Sequence, residues 1–282
     1  MRGLSVPLDE VRSIWYRRPT PVNINDEIEL EYREVVRNEW TALLKGLWHV
    51  VPSECTFVSP PGNIQKAESK ISQLELARLL GLDIPDTLVT NDAKELRKFY
   101  SSKGPDLIVK KLQTHGIFQE NKMVLFVTKR FRCLADIDID ALRYCPCIFQ
   151  VEVPKALDLR VVVIGQRVFA VSIDSQADDA TAVDYRAGGL KAVQLAHKPH
   201  PLPYELAVKC VRMTESYGLR FGAFDFVITP KGDYVFLELN PNGQWLWLEL
   251  LTKMNMVTAM CQLLETGKTE FSINGESCSK PT

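Results

Sequence analysis

The sequence predicts an α+β fold, and three observations carry that reading. Of its 282 residues 46% are hydrophobic and 24% charged, so the chain can bury a core and is neither disordered nor low-complexity. Its β-branched runs and amphipathic stretches do not alternate in regular βαβ units, which argues against a doubly wound parallel sheet. The strand runs crowd into the second half, where they follow one another across turn-forming residues. At roughly 150 residues per domain, the length suggests about two domains.

Residues 11–16 alternate like a short strand, and the prolines at 19 and 21 break it. From Ile28 to Leu47 a helical period sets Val36, Trp40, Leu43, Leu44 and Leu47 on one face. One strand and one helix bury little alone. Residues 1–60 therefore read as a short or truncated N-terminal α/β domain, which either docks on the rest or lacks a preceding piece. Residues 59–63 are a loop. A helix over 69–80 follows, with Ile71, Leu74, Ala77 and Leu80 as its buried stripe and Gly81 as its stop. Thr87–Thr90 is a strand, Asn91 can cap a helix over 92–100, and 107–112 and 124–129 are strands. These make a central subdomain, 61–138.

The C-terminal subdomain, 139–282, opens with strands over 148–153, 159–164 and 168–173, the last two joined by a turn at Gly165-Gln166. Residues 175–189 are a polar loop, expected to be mobile, and 204–217 are helical. Two strands, 221–229 and 234–239, flank Pro230-Lys231-Gly232-Asp233. A single last helix runs over 246–264, and 275–282 are expected to fray.

Several function classes drop out on composition. Lys plus Arg is 34 and Asp plus Glu is 35, a net charge of -1, so there is no global basic excess for nucleic acid. The longest apolar runs are strand length, far below the roughly 20 residues of a membrane helix, and the N-terminus shows no secretory leader. The seven cysteines are scattered and form no CxxC pair, and Cys145-Pro146-Cys147 is too tight for ordinary metal ligation. Neither a zinc site nor a disulfide framework is signalled, so plain thiols in a reducing cytoplasm are expected.

The segment 221–243 carries most of the chemistry. With a four-residue turn at 230–233, Thr229 pairs with Tyr234 and Asp225 falls opposite Glu238. Side chains alternate along a strand, so Glu238 and Asn240 share a face, and Asp225 joins them from across the ladder about 5 Å away. Phe224, Phe226, Leu237 and Leu239 take the other face. Neighbouring carboxylates repel unless neutralised. A Mg²⁺ ion uses one or two carboxylates plus waters and phosphates, which fits this trio. A solvated strand face with chance acids is the alternative.

Other residues suit an anionic ligand. Lys110 sits mid-strand among β-branched residues and needs a counter-charge, which a phosphate would supply, unless it snorkels to water. Lys70 opens a helix, where a cation opposes the dipole and suits either an anion or solvent. The segment from Gln150 through Val151 and Val153 to Asp158 is a break between strands that can offer its backbone to an adenine edge. Asp158 could accept from a ribose hydroxyl, with Arg160 beside it, although an Asp–Arg pair two apart also suits a structural ion pair. Arg186, before Gly188-Gly189, looks like a guanidinium delivered to an anion by a flexible loop, or a surface arginine.

Lys110 on a strand, the 150–158 connector, Arg186 near two glycines, then Asp225 with Glu238-Leu239-Asn240 resembles the ATP-grasp ligases over roughly 63–264. Ser13-Ile14-Trp15-Tyr16-Arg17-Arg18-Pro19, the run from Ile84 to Asn91 and the run from Leu239 to Trp247 are similar to the peptide-maturing branch, the graspetide (microviridin-type) macrocyclases. These are close in layout to ribosomal-protein glutamate ligases and glutathione synthetases. The resemblance implies two α+β lobes grasping ATP, with Mg²⁺ as cofactor and a leader-core precursor peptide as partner. It implies phosphorylation of an Asp or Glu side chain to an acyl phosphate, then ring closure by a Ser/Thr hydroxyl or Lys amine. On it, Lys70 and Lys110 hold phosphates, Gln150, Val151, Val153, Asp158 and Arg160 meet the nucleotide, and Asp225, Glu238 and Asn240 hold Mg²⁺. Arg186, with Lys110, serves the transfer itself. A ligase adding an amino acid to a peptide or protein terminus and a non-catalytic binding module are the rival functions. Trp245, Trp247 and the apolar last helix could support a homodimer.

Overall fold

The computed structural model describes residues 5–17, 22–113, 117–119, 122–124, 128–178, 181–185 and 194–277. Near the N-terminus β1 (Ser13–Trp15) precedes α1 (Arg33–Val50) and β2 (Thr56–Val58), and β1 and β2 pair in parallel. Among the described residues, ring contacts anchor α1 at its C-terminal end, where Trp48 meets Tyr16 and Phe57 edge-on at 5.5 and 5.8 Å. Trp40, Leu43 and Leu44 of the expected stripe are exposed.

The next helices are α2 (Pro61–Ala67) and α3 (Lys70–Leu79), the latter capped by the Ser69 hydroxyl. The buried residues of α3 are Gln73 and Ala77, whereas Ile71 is exposed, so the expected stripe is rotated. Then come β3 (Thr87–Thr90), α4 (Ala93–Lys103), β4 (Leu107–Lys110), β5 (Ile117–Gln119), β6 (Lys122–Val124), β7 (Lys129–Phe131) and β8 (Cys147–Val151). Asp92 rather than Asn91 caps α4, its carboxylate accepting the Lys94 N–H at 2.7 Å. Of the strand expected over 124–129, Val124 ends β6 and Lys129 begins β7, and residues 125–127 lie outside the described residues.

Four of these strands form an antiparallel sheet in the order β3-β8-β4-β7. Leu107, Phe131 and Phe149 point to one face, where they pack with Leu96 of α4. By alternation Ile108, Lys110, Arg130 and Gln150 point to the other. The division at 138/139 does not follow the sheets. β8, from beyond it, completes this sheet, and α2 and α3, from before it, pack on the larger one.

The larger sheet is built from β9 (Leu157–Ile164), β10 (Arg167–Ile173), β11 (His197–Pro199), β12 (Phe221–Ile228), β13 (Tyr234–Asn240), β14 (Ser272–Ile273) and β15 (Glu276–Ser277). Its order is β13-β12-β9-β10-β14-β15, with β11 also on β10. The predicted turn joins β9 to β10, Gly165 taking a φ of +59° that suits glycine. Helix α5 (Tyr204–Ser216) covers one face with α2 and α3, over Leu159, Val161, Phe224, Phe226, Phe236 and Leu239. The other face has two ends. Val162, Ile164, Phe169 and Ala223 lie under α6 (Leu246–Thr252) and α7 (Met256–Thr266), while Asp158, Arg160 and Asp225 lie on the same side beyond them.

Two expectations need correction here. The single last helix is two, because Lys253 ends α6 in the left-handed region and the Glu249 carboxylate accepts the Val257 N–H at 2.6 Å to start α7. Of the residues expected to fray, 275–277 instead continue from β14 into β15 at the sheet edge, and 278–282 lie outside the described residues. Trp245 is buried in the core, its ring tilted against that of Trp15 at 6.4 Å, and Trp247, half-buried, packs edge-on against His197. The six described cysteines are free, and Cys278 lies outside the described residues. Among the described residues no helix is long and apolar enough to cross a membrane.

Candidate functional site

The site grows from the β12–β13 hairpin. Asp225 pairs with Glu238, Phe224 with Leu239 and Ala223 with Asn240. Nearer the turn, however, Ile228 rather than Thr229 pairs with Tyr234. A β-bulge between Asp225 and Phe226 absorbs the one-residue difference by leaving Leu237 over. Phe236 therefore takes the core position expected of Leu237, and Leu237 lines the cleft beside Glu238.

Each acid here faces a cation. Glu238 meets Lys70 Nζ at 3.2 Å, both side chains half-buried. Asp225 accepts from Arg160 Nη1 at 2.7 Å in a pair with only 6% and 10% of the side chains exposed. Asp158 meets Lys155 Nζ at 2.9 Å, and Lys155 also donates to the Val183 carbonyl at 3.2 Å. Burial pushes the Asp158 carboxyl up, and the Lys155 ammonium opposes that. The expected Asp158–Arg160 association is thus replaced by two cross-partnered pairs. Arg160 also donates to the Gln244 carbonyl at 3.3 Å.

Gly243 makes room for this arrangement. A Cβ there would lie 2.5 Å from both Ala223 Cβ and Arg160 Nη2. Gly243→Ala should cost about 1–3 kcal/mol through overpacking, read as a lower urea midpoint. An unchanged midpoint would show that the 240–245 turn adjusts freely.

Two cavities meet at the Lys70–Glu238 pair, which lines both. The smaller, about 320 Å³, runs between the two sheets and is walled by Lys110, Val151, Val153, Lys155, Asp158 and Asp225 among others. Asp184 and Tyr185, both buried, close one side. At its rim Arg130 and Arg132 pair with Glu152 and Asp106. The larger, about 1650 Å³, is lined by Trp48, Phe57, Pro60, Asn63, Glu238 and Asn240 among others.

Most predicted positions therefore gather here, but not all do. Asn240 lines the larger cavity and Asp225 the smaller, with Glu238 between them. Gln150 does not line the smaller cavity: it is buried and its amide donates to the Thr87 hydroxyl at 2.9 Å. Arg160 is held by Asp225 and the chain at Gln244 rather than lining the cavity. The N–H groups of Val151 and Glu152 are taken by the carbonyls of Asp86 and Asp106, so a base edge would meet carbonyls or Val153. Arg186 lies outside the described residues. Lys155 is a cavity cation that the sequence reading missed. Its only signal was its i,i+3 spacing to Asp158.

The donor set fits a hard divalent cation in part. Two carboxylates oppose each other on one ladder, and the Asn240 amide oxygen, which accepts the Asn242 N–H at 3.0 Å, retains a second lone pair. Among the described residues no group of three or more His, Cys, Asp or Glu could hold a metal by itself. Such a set suits an ion that draws its remaining ligands from water and phosphate oxygens.

No family model and no curated protein matches the chain. Solved structures do. A Chryseobacterium gregarium RiPP-associated ATP-grasp ligase, in complex with ADP and a leader and core peptide, is similar with a TM-score of 0.85 at 26% identity, over 93% of this chain and 78% of that one. The macrocyclase MdnC of Microcystis aeruginosa MRC, bound with precursor peptide MdnA, is similar with a TM-score of 0.79 at 27% identity, over 94% and 81%. The macrocyclase MdnB of the same organism is similar with a TM-score of 0.74 at 34% identity, again over 94% and 81%. With two lobes enclosing a cleft, the acid-bearing hairpin at its floor and this identity to MdnB, the chain belongs to the family of RiPP-associated ATP-grasp ligases and macrocyclases.

Proposed function

We propose that this protein is an ATP-dependent ligase that forms intramolecular ester or amide crosslinks in a ribosomally made precursor peptide. The observation that carries the reading is the junction of two cavities at the Lys70–Glu238 pair. A nucleotide in the smaller cavity would direct its phosphates toward Lys70, Lys110 and Lys155. A peptide in the larger would lie along apolar and amide side chains such as Trp48, Phe57 and Asn63. Its reacting carboxylate would then reach the terminal phosphate at the junction. The relatives solved with ADP and with leader, core or precursor peptides support this division.

In the proposed reaction a carboxylate oxygen of the peptide attacks the γ-phosphorus and ADP departs, giving an acyl phosphate. A hydroxyl or amine of the same peptide then attacks the acyl carbon. Phosphate leaves and the nucleophile gives up a proton. Asp225, Glu238 and Asn240 would hold Mg²⁺, which when bound neutralises charge on the phosphate oxygens. Lys70 and Lys110 would bind the phosphates, and their fixed positive charge would stabilise the transferring group. Val151 and Val153 would border the adenine and Asp158 would meet the nucleotide. Arg186 would steady the acyl phosphate or the substrate carboxylate.

The test is to incubate the protein with ATP, Mg²⁺ and a candidate precursor rich in Thr, Ser or Lys and in Asp or Glu. The expected result is ADP release accompanied by the loss of one water mass per ring. Gain of a residue mass would instead identify a terminal ligase. Precursor binding without phosphate release, unaltered by Asp225→Asn, would identify a binding module.

A further inference from the structure

We infer that Gln73 is a positioning residue for the proposed metal site: its side chain acts as a substitute neighbour strand that fixes the backbone between Glu238 and Asn240. The inference rests on the reading that these residues help to hold a divalent ion. β13 ends the large sheet, so one side of its backbone lacks a full neighbouring strand. The only strand-like contact there among the described residues is the isolated bridge from Asp83 to Val235, in which the Phe236 N–H donates to the Asp83 carbonyl at 2.8 Å.

Farther along the edge, the Gln73 amide takes over that role. Its Oε1 accepts the Leu239 N–H at 2.8 Å, and its Nε2 donates to the Leu239 carbonyl at 2.7 Å. The second Nε2 hydrogen goes to the Ala67 carbonyl at 2.7 Å, at the end of α2. A primary amide is the complement of one peptide unit's N–H and C=O, so this pair of bonds imitates a β-bridge. Gln73 is 2% exposed, so water does not replace these bonds easily.

The position along the strand makes the grip matter. The bulge leaves Leu237 over and loosens the pairing of β13 with β12 just before Glu238. Leu239 is the next residue whose side chain enters the core. Holding its peptide therefore sets the direction in which Glu238 and Asn240 project on the opposite face. One turn earlier on α3, Lys70 meets the Glu238 carboxylate itself. The helix thus grips both the backbone and the side chain of the same strand.

The test reads metal binding apart from turnover. Mn²⁺ binding is followed by electron paramagnetic resonance in the presence of ADP, for wild type, Gln73→Leu, Gln73→Glu and Leu76→Ala. Leu76 also lies on α3 and packs against the core, but has no bond to β13. Gln73→Leu is expected to weaken Mn²⁺ binding by about 10- to 100-fold, the range for groups that orient metal ligands, with metal-free ADP binding unchanged. Gln73→Glu, which keeps the acceptor and loses both donors, should weaken it in the same direction. Leu76→Ala should bind Mn²⁺ like wild type despite a lower melting temperature. Wild-type Mn²⁺ affinity in Gln73→Leu, or an equal loss in Leu76→Ala, overturns the inference. If Gln73→Leu does not fold, the comparison of Gln73→Glu with Leu76→Ala decides. A wild-type protein that binds no Mn²⁺ with ADP overturns the metal reading itself.

Discussion

Glu238→Gln is expected to lower ADP formation by on the order of 10²-fold or more, the scale seen when one preorganised charge-stabilising group is lost at a transferring centre. The substitution keeps the shape and one acceptor oxygen but removes the negative charge. Two consequences add. The proposed metal site loses one of its two carboxylates, and Lys70, which meets Glu238 at 3.2 Å, becomes a half-buried cation beside an incoming cation. The fold should be little affected, because both side chains keep contact with solvent and partly exposed pairs contribute little to stability. The measurement is ADP release against Mg²⁺ concentration, alongside a urea midpoint. A rate equal to wild type at every Mg²⁺ concentration would remove Glu238 from the metal site.

The hairpin also shows how a sequence argument can reach the right pair by a wrong route. Strict alternation back from a four-residue turn sets Asp225 opposite Glu238, and the structure pairs them. The register near the turn is nevertheless off by one, and the bulge at Leu237 restores it. Alternation cannot see a bulge, because nothing in Val235-Phe236-Leu237-Glu238 marks the extra residue. The cost of that blindness falls on Leu237 and Phe236, which exchange faces relative to the expectation.

Polar partners inside the fold were less legible than the strands. Hydrophobicity selects Ile71 for the buried side of α3, yet Gln73 is buried and Ile71 is exposed, because three hydrogen bonds to backbone repay the burial of an amide. Asp158 and Arg160 stand on one face of β9, but two residues along a strand separate them by roughly 7 Å. Cross-strand neighbours are closer, and so Arg160 finds Asp225 on β12 while Asp158 finds Lys155 beyond the strand end. The strands themselves were legible because their runs are β-branched and bounded by Gly and Pro. The break between α6 and α7 was not, since Lys253 takes a left-handed conformation in a sequence that offers no glycine there.

Arg160→Met is expected to destabilise the protein by about 3–5 kcal/mol, the cost of leaving one member of a buried ion pair without its counter-charge. Arg160 and Asp225 are both almost wholly buried and 2.7 Å apart. Methionine fills part of the space but returns neither the charge nor the donation to the Gln244 carbonyl. The partner change separates two roles of Asp225. In Arg160→Met/Asp225→Leu the orphaned charge is gone, so the urea midpoint should recover most of the loss, as apolar replacement of a buried pair often allows. ADP formation should be lowered by on the order of 10²-fold or more, because the proposed metal site has lost a carboxylate that no repacking restores. The double-mutant cycle gives the coupling between the two positions directly. An Arg160→Met protein as stable as wild type, with its loss confined to ATP affinity, would return Arg160 to the nucleotide contacts and take it out of the scaffold that holds Asp225.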